Sequence, residues 1–238
     1  MIPRSSLVLD IETVVDPALP RAETGQESGL PPAPFHQIVV MGVMWLDADY
    51  RIQRLGVVGD GKSEREMLGD FCRFVSERRP LLVTYNGRGF DLPVVTARCL
   101  RHGVPFRHYY ASRDLRYRYS AEGHLDLMDF LTDFGACKPS KLDVVARSIG
   151  MSGKVGVEGK DVGPMIHAGR LGEVQAYCLC DVVQTAGVFL RLELVRGEIP
   201  PEIYLEAMKG LIERIDGDER LRPVGEGLDR ARLLLASE

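Results

Sequence analysis

Two rhythms of apolar residues run along the chain. Ser6–Leu9 begins a near-continuous apolar stretch, "SLVLD", and predicts a short buried strand over 7–10. "QIVVMGVMWL" (37–46) and "RIQRLGVVG" (51–59) predict two more strands, and the turn "DADY" between them makes these antiparallel neighbours. The period then changes. "SEREMLGDFCRFVSERR" (63–79) opens with Ser-x-x-Glu, a capping box, and Met67, Leu68, Phe71, Phe74 and Val75 follow at helical spacing. "PLLVTYNG" (80–87) predicts a buried strand ending in a turn. "DLPVVTARCLRHG" (91–103) predicts a helix with Pro93 in its first turn, where proline is tolerated. "HLDLMDFL" (124–131) reads as a strand or a strand-to-helix passage, and "KLDVVARSIG" (141–150) as a short helix. A long helix over 170–197 ends at Gly197, and another lies near 204–215. The order β, ββ, α, β, α, β, α, α predicts an α/β sandwich on a mixed sheet. The stretch 17–34, rich in Pro, Gly and polar residues, predicts a long surface loop.

Composition narrows the picture without deciding it. The 238 residues, 45% hydrophobic and 27% charged, suffice for one large α/β domain. No apolar run approaches the ~20 residues of a membrane span, and the start has no secretory signal pattern, so a soluble, cytoplasmic protein is expected. Five cysteines without paired spacing argue against a disulfide scaffold. Cys178 and Cys180 form C-x-C with no His or Cys cluster beside them, which argues against a zinc site. A net charge of −4 is unlike a protein that coats duplex nucleic acid. It leaves room for a nuclease whose carboxylates hold cations that attract phosphate.

Three short patterns carry the chemistry. In a strand, Asp10 and Glu12 project to one face, two residues apart. Like charges so placed repel, and a hard divalent cation removes that cost. Standing alone, Asp10 and Glu12 are better explained by a turn cap at Asp10 and a solvated Glu12. The second pattern is "YNGRGFDLP": Asn86 and Gly87 follow a buried strand, and Asp91 opens the next helix, at the strand end where α/β sheets build their sites. The local alternative is a favoured Asn-Gly turn with an Asp cap. The third is "YCLCD", which puts Tyr177 and Asp181 one helical turn apart on one face, amid apolar neighbours.

Taken in order, D-x-E, N-x-x-x-F-D and Y-x-x-x-D resemble the DEDD superfamily of 3′–5′ exonucleases, in its DEDDy branch. The resemblance is closest to predicted exonucleases related to the proofreading domain of family-B DNA polymerases. It covers roughly 7–197, with "LVTYNGRGFDLPVV", "HLDLMDFL" and "YCLCDVVQTAGVFLRLELVRG" as supporting segments. It implies an RNase H-like fold, a central mixed β-sheet of about five strands flanked by helices. Residues 1–197 would form the exonuclease domain and 198–238 a helical extension of it. It implies two divalent ions, Mg²⁺ or Mn²⁺, held by Asp10, Glu12, Asp91 and Asp181, with Asp10 shared between them. Such a pair, about 3.5 to 4 Å apart, clamps a phosphate and serves both the attacking and the leaving oxygen. Tyr177 would align the attacking water, since a phenol with a pKa near ~10 makes a poor base.

The resemblance also implies a substrate, nucleic acid with a free 3′ end. Single-stranded DNA is the leading expectation. RNA trimming and non-catalytic binding on the same fold are the alternatives, and a binding module matching by chance is a third. The backbone at Ile11 and Thr13 is expected to meet the terminal nucleotide. Asn86 either bonds the substrate backbone or holds its turn; Phe90 either stacks on a base or sits in the core. "RHYYASRDLRYRYS" (107–120) interleaves Arg with Tyr, and Arg113 and Arg116 are its substrate-binding candidates; a loop with ordinary surface charges is the plainer reading. Lys154 and Lys160, in a Gly-rich stretch, are weaker phosphate candidates. His124 and Asp126 are candidates to support the site from behind. Asp129, Asp133 and Asp143 are expected to be solvated or capping. No membrane partner is expected. The tail after Gly197 either packs on the sheet or joins two copies as a homodimer.

Overall fold

β1 (Ser6–Val15) runs through the D-x-E pattern instead of stopping before it. In this computed structural model, which describes residues 4–19, 30–153, 156 and 158–236, β1 is the centre of a five-stranded sheet. β2 (His36–Leu46) and β3 (Ile52–Val57) follow, then α1 (Glu64–Arg78), β4 (Leu81–Thr84) and α2 (Asp91–His102). Two short helices, α3 (Arg107–Ala111) and α4 (Arg113–Arg116), lead to β5 (His124–Asp126). Next come α5 (Leu127–Leu131), α6 (Leu142–Ser148), α7 (Gly159–His167), α8 (Leu171–Arg196) and α9 (Pro201–Asp216). The order across the sheet is β3-β2-β1-β4-β5. β1, β2 and β3 pair antiparallel, whereas β1, β4 and β5 run parallel.

Alternation along β1 explains both layers. Leu7, Leu9 and Ile11 join Met67, Leu68, Phe71, Leu92 and Val95 in a core beneath α1 and α2. Val8, one residue out of phase, joins Leu179, Val182, Val183 and Ala186 of α8 on the other side. That second core continues through Tyr204, Met208 and Leu211 of α9 and on to Leu233, so the residues after Gly197 share the central core. α1 begins with the expected capping box: Ser63 accepts from the Glu66 backbone, and Glu66 accepts from the Ser63 backbone. β5 passes directly into α5, with Asp126 capping the junction.

Three segments depart from expectation. α3 and α4 occupy part of the stretch read as a loop, with Ser112 capping α4. α7 forms from Gly159, inside the stretch around Lys160 read as Gly-rich; Val162 and Met165 pack with Val40, Val174 and Cys178, and that burial outweighs the poor helix propensity of Gly159, Gly163 and Pro164. Asp129 is buried and accepts two hydrogen bonds from Arg118, 2.9 and 2.6 Å, so it is neither solvated nor merely a cap. Lys154 and most of the proposed 17–34 loop lie outside the described residues.

Candidate active site

The site assembles from three elements that meet at the middle of β1. Asp10 and Glu12 project from β1 toward α8, the face set by Val8. β4 ends at Thr84, and the Asn86–Phe90 turn delivers Asp91 to the first position of α2. Asp91 Oδ1 accepts a hydrogen bond from the Ile11 backbone N–H at 3.2 Å, between the two β1 carboxylates in sequence. α8 supplies Tyr177 and Asp181, one helical turn apart, each acting on the other's ionisation. Glu12 and Asp91 are 7% and 4% exposed.

The turn before Asp91 is held by Asp126. Its carboxylate accepts from the backbone N–H of Asn86 (2.9 Å) and of Arg88 (2.8 Å). Asn86 adopts φ 65°, a left-handed conformation that Asn tolerates. Gly87 follows because a Cβ there would stand 2.4 Å from Thr84 Oγ1. The Asn86 backbone oxygen accepts from Gly89 and Phe90, so this residue holds its turn.

Electrostatically the cluster is unbalanced. Burial pushes the Asp10 carboxyl well above the usual carboxylate range, and Glu12, Asp181 and Asp91 push it further. Burial also raises Glu12, aided by Asp181 and Asp91. Asp91 is pushed up to about 7, by burial first and then by Asp126 and Asp181. Asp181 rises to about 6, chiefly by burial, with Tyr177 opposing the rise. Burial raises the Tyr177 hydroxyl far above its ordinary value, and the carboxylates add to it, so it stays a neutral donor. All four carboxylates thus raise one another or are raised by burial, and no cation is among the causes acting on them. Ligand atoms of Asp10, Glu12 and Cys178 lie within 4.8 Å of one another. An oxygen-rich, buried, uncompensated donor set of this kind fits a hard divalent cation.

The other candidates separate from this centre. The Ile11 N–H is committed to Asp91, so it is not a free donor for a terminal nucleotide. Thr13 Oγ1 lies 2.9 Å from His36 Nδ1. Phe90 is half-buried and meets His36 edge-on, ring centres 5.0 Å apart. Arg113 and Arg116 are exposed, each over a tyrosine ring, Tyr117 and Tyr110. Their segment is tied to the motif-two turn by Arg88, whose guanidinium donates to the Arg116 carbonyl at 3.2 Å. Lys160 is exposed and pairs with Glu158 at 2.9 Å. His124 is buried against Thr84 Oγ1 at 2.8 Å; burial, then Arg88, lowers it to about 3, so it is neutral. Cys178 escaped the sequence reading, although it adjoins Tyr177 and faces a glycine in mid-strand, Gly42, which often marks a close approach.

A helix-flanked mixed sheet of this order, with buried carboxylates at its central strand, is an RNase H-like α/β fold of exonuclease type. The chain belongs to the family described as predicted 3′–5′ exonucleases related to the exonuclease domain of PolB, which matches residues 28–224. That span includes Asp91, Tyr177 and Asp181 and begins after Asp10 and Glu12. Among solved structures, the family B DNA polymerase of the hyperthermophilic archaeon Pyrobaculum calidifontis is similar at 25% identity and a TM-score of 0.56. The match covers 99% of this chain, β1 included, and 27% of the polymerase, so the chain spans about a quarter of that protein's length. The zinc-bound E. coli ExoI–ssDNA complex matches at 16% identity and a TM-score of 0.36, over 76% of this chain and 43% of that one, a likeness that carries no argument. No curated protein matches the chain. Among the described residues, no helix is long and apolar enough to cross a membrane.

Proposed function

We propose that this chain is a metal-dependent 3′–5′ exonuclease that hydrolyses phosphodiester bonds from the 3′ end of single-stranded DNA and releases 5′-mononucleotides. One observation carries the reading: Asp10, Glu12, Asp91 and Asp181 stand together, Glu12 and Asp91 buried and Asp10 and Asp181 half-buried, with no basic side chain paired to them among the described residues, at an energetic cost that a bound cation offsets. Asp10, Glu12 and Asp181 would hold one Mg²⁺ or Mn²⁺, and Asp10 and Asp91 a second. When bound, these ions supply an acidified water and charge stabilisation at the leaving oxygen. The rest falls to the chain. Tyr177, a neutral phenol beside Asp181, orients the attacking water; its raised pKa removes it as a proton acceptor. Asp91 is braced by the Ile11 N–H, and the Asp126-bound turn fixes the start of α2. Arg113 and Arg116 would meet phosphates upstream of the terminal nucleotide, with Tyr110 and Tyr117 beside them to stack on bases.

The test is a 5′-labelled oligonucleotide, DNA and RNA in parallel, incubated with Mg²⁺, Mn²⁺ or EDTA. A ladder shortening from the 3′ end, present with metal and lost in EDTA and in D10A, is the expected result. Shortening that survives EDTA or D10A overturns the reading, as does an intact oligonucleotide under every condition.

A further inference from the structure

Cys178 lies on α8 between Tyr177 and Asp181 in the chain, turns toward β1 and Asp10, and is fully buried. Its Sγ stands 3.3 Å from Asp10 Oδ2 and 3.4 Å from the Asp10 backbone oxygen. A thiol has one proton to give, so both acceptors of Asp10 compete for the same S–H. The approach depends on β2. Gly42 is the cross-strand partner of Asp10, and a Cβ at that position would come within 2.8 Å of Cys178 Sγ and 3.0 Å of Val182 Cγ2. With no side chain there, α8 settles close enough for the thiol to reach the carboxylate. The thiol is the one side chain among the described residues that hydrogen-bonds Asp10.

From this geometry we infer that Cys178 is a positioning residue for Asp10. The S–H holds one oxygen of the Asp10 carboxylate, Oδ2, and leaves the other free of protein hydrogen bonds among the described residues. The inference rests on the proposed metal-dependent reading for its consequence but not for its geometry. Pinning removes a rotational freedom that a carboxylate shared by two ions would otherwise lose on binding them, and it adds no charge to the site. The thiol serves here as a donor, so serine, which keeps a donor on a shorter bond, should recover part of the effect, whereas alanine should not.

Two readouts test this on the full chain. The first is Mn²⁺ affinity, measured by electron paramagnetic resonance on wild type, C178A and C178S, with melting temperature recorded beside it. C178A is expected to bind Mn²⁺ about tenfold more weakly, the low end of what losing a partner of a metal ligand costs. C178S is expected to lie between C178A and wild type. Equal affinity in C178A and wild type overturns the inference. The second readout needs no metal. The infrared S–H stretch of Cys178, isolated by subtracting the C178S spectrum, is expected to lie lower in wild type than in D10A. An S–H band indifferent to Asp10 overturns the inference. A shifted band in a protein that degrades no oligonucleotide upholds the thiol's role while the exonuclease reading alone falls.

Discussion

β1 and α2 hold two buried charge clusters, and they are built in opposite ways. One is the group of Asp10, Glu12, Asp91 and Asp181. The other lies where the same two elements meet again further along. There Arg98 of α2 is 2% exposed, bonds Asp16 at 2.5 Å, and grips both oxygens of Glu64 at 2.7 and 2.6 Å. His102 and the Ile38 backbone N–H complete the Glu64 shell at 2.8 Å each. Burial alone would raise the Asp16 carboxyl, but the hydrogen bonds and charge of Arg98, with Ala18 and Arg101, hold it below its ordinary value. Every charge in that second cluster has an opposite partner within the chain. The first cluster, with Glu12 and Asp91 buried and Asp10 and Asp181 half-buried, has only like charges. The contrast separates an ion network that fastens β1 to α1 and α2 from the carboxylates proposed here as cation ligands.

Removing a residue from each cluster should break different things. D10A is expected to lower exonuclease turnover by roughly 10³-fold or more, since metal-borne charge stabilisation amounts to several kcal/mol. It should raise the melting temperature of the metal-free protein, because a buried repulsion is gone. R98A should do the reverse: it leaves Asp16 and Glu64 buried without their partner, at about 3–5 kcal/mol of folding stability. Chemical denaturation of both variants in EDTA checks this; a D10A protein less stable than wild type would collapse the distinction.

Y177F is expected to cost about 10²-fold in kcat, the scale of a misplaced reactant, with Mn²⁺ affinity unchanged. Steady-state kinetics beside a metal titration separates the two.

The clusters should also answer pH with opposite signs. Asp91 and Asp181 sit at about 7 and about 6 against an ordinary 3.8, so the folded state binds their protons more tightly than the unfolded state. Their contribution to stability is complete below about pH 4 and is lost as pH rises through 6 and 7. Asp16 is lowered instead, so its contribution is complete above about pH 4 and is lost as pH falls through its depressed value. Melting temperature in EDTA should therefore decline between pH 5 and 8, and saturating Mn²⁺ should abolish the decline. A metal-free protein that gains stability from pH 5 to 8 contradicts the assignment. The smallest effect belongs to the surface: R113A and R116A should each raise KM a few-fold and flatten its salt dependence, as loss of one phosphate contact does.

How much of this the sequence revealed depends on the range of the interaction. The strands, the capping box of α1, the Asn-Gly turn and the closure of α2 and α8 by Gly103 and Gly197 follow from local pattern. Asp10 and Glu12 share a face because strand alternation is fixed. The Cys178–Asp10 and Arg98–Asp16 pairs join residues 168 and 82 positions apart, and no local period reports them. Asp129 looked solvated for the same reason: its partner Arg118 lies on the far side of a turn and a strand. α7 was hidden by Gly159, Gly163 and Pro164, whose weak helix propensity is overridden by packing against β1 and α8. The Arg–Tyr segment was readable as composition, while its two short helices and its tether to Arg88 were not.

The most direct measurement is calorimetric titration of Mn²⁺ into the metal-free chain at pH 7.5, for wild type, D10A and D16A. The account predicts saturable binding of about two ions per chain, lost in D10A and retained in folded D16A. Absence of binding to wild type, or binding that D10A leaves intact, would contradict it.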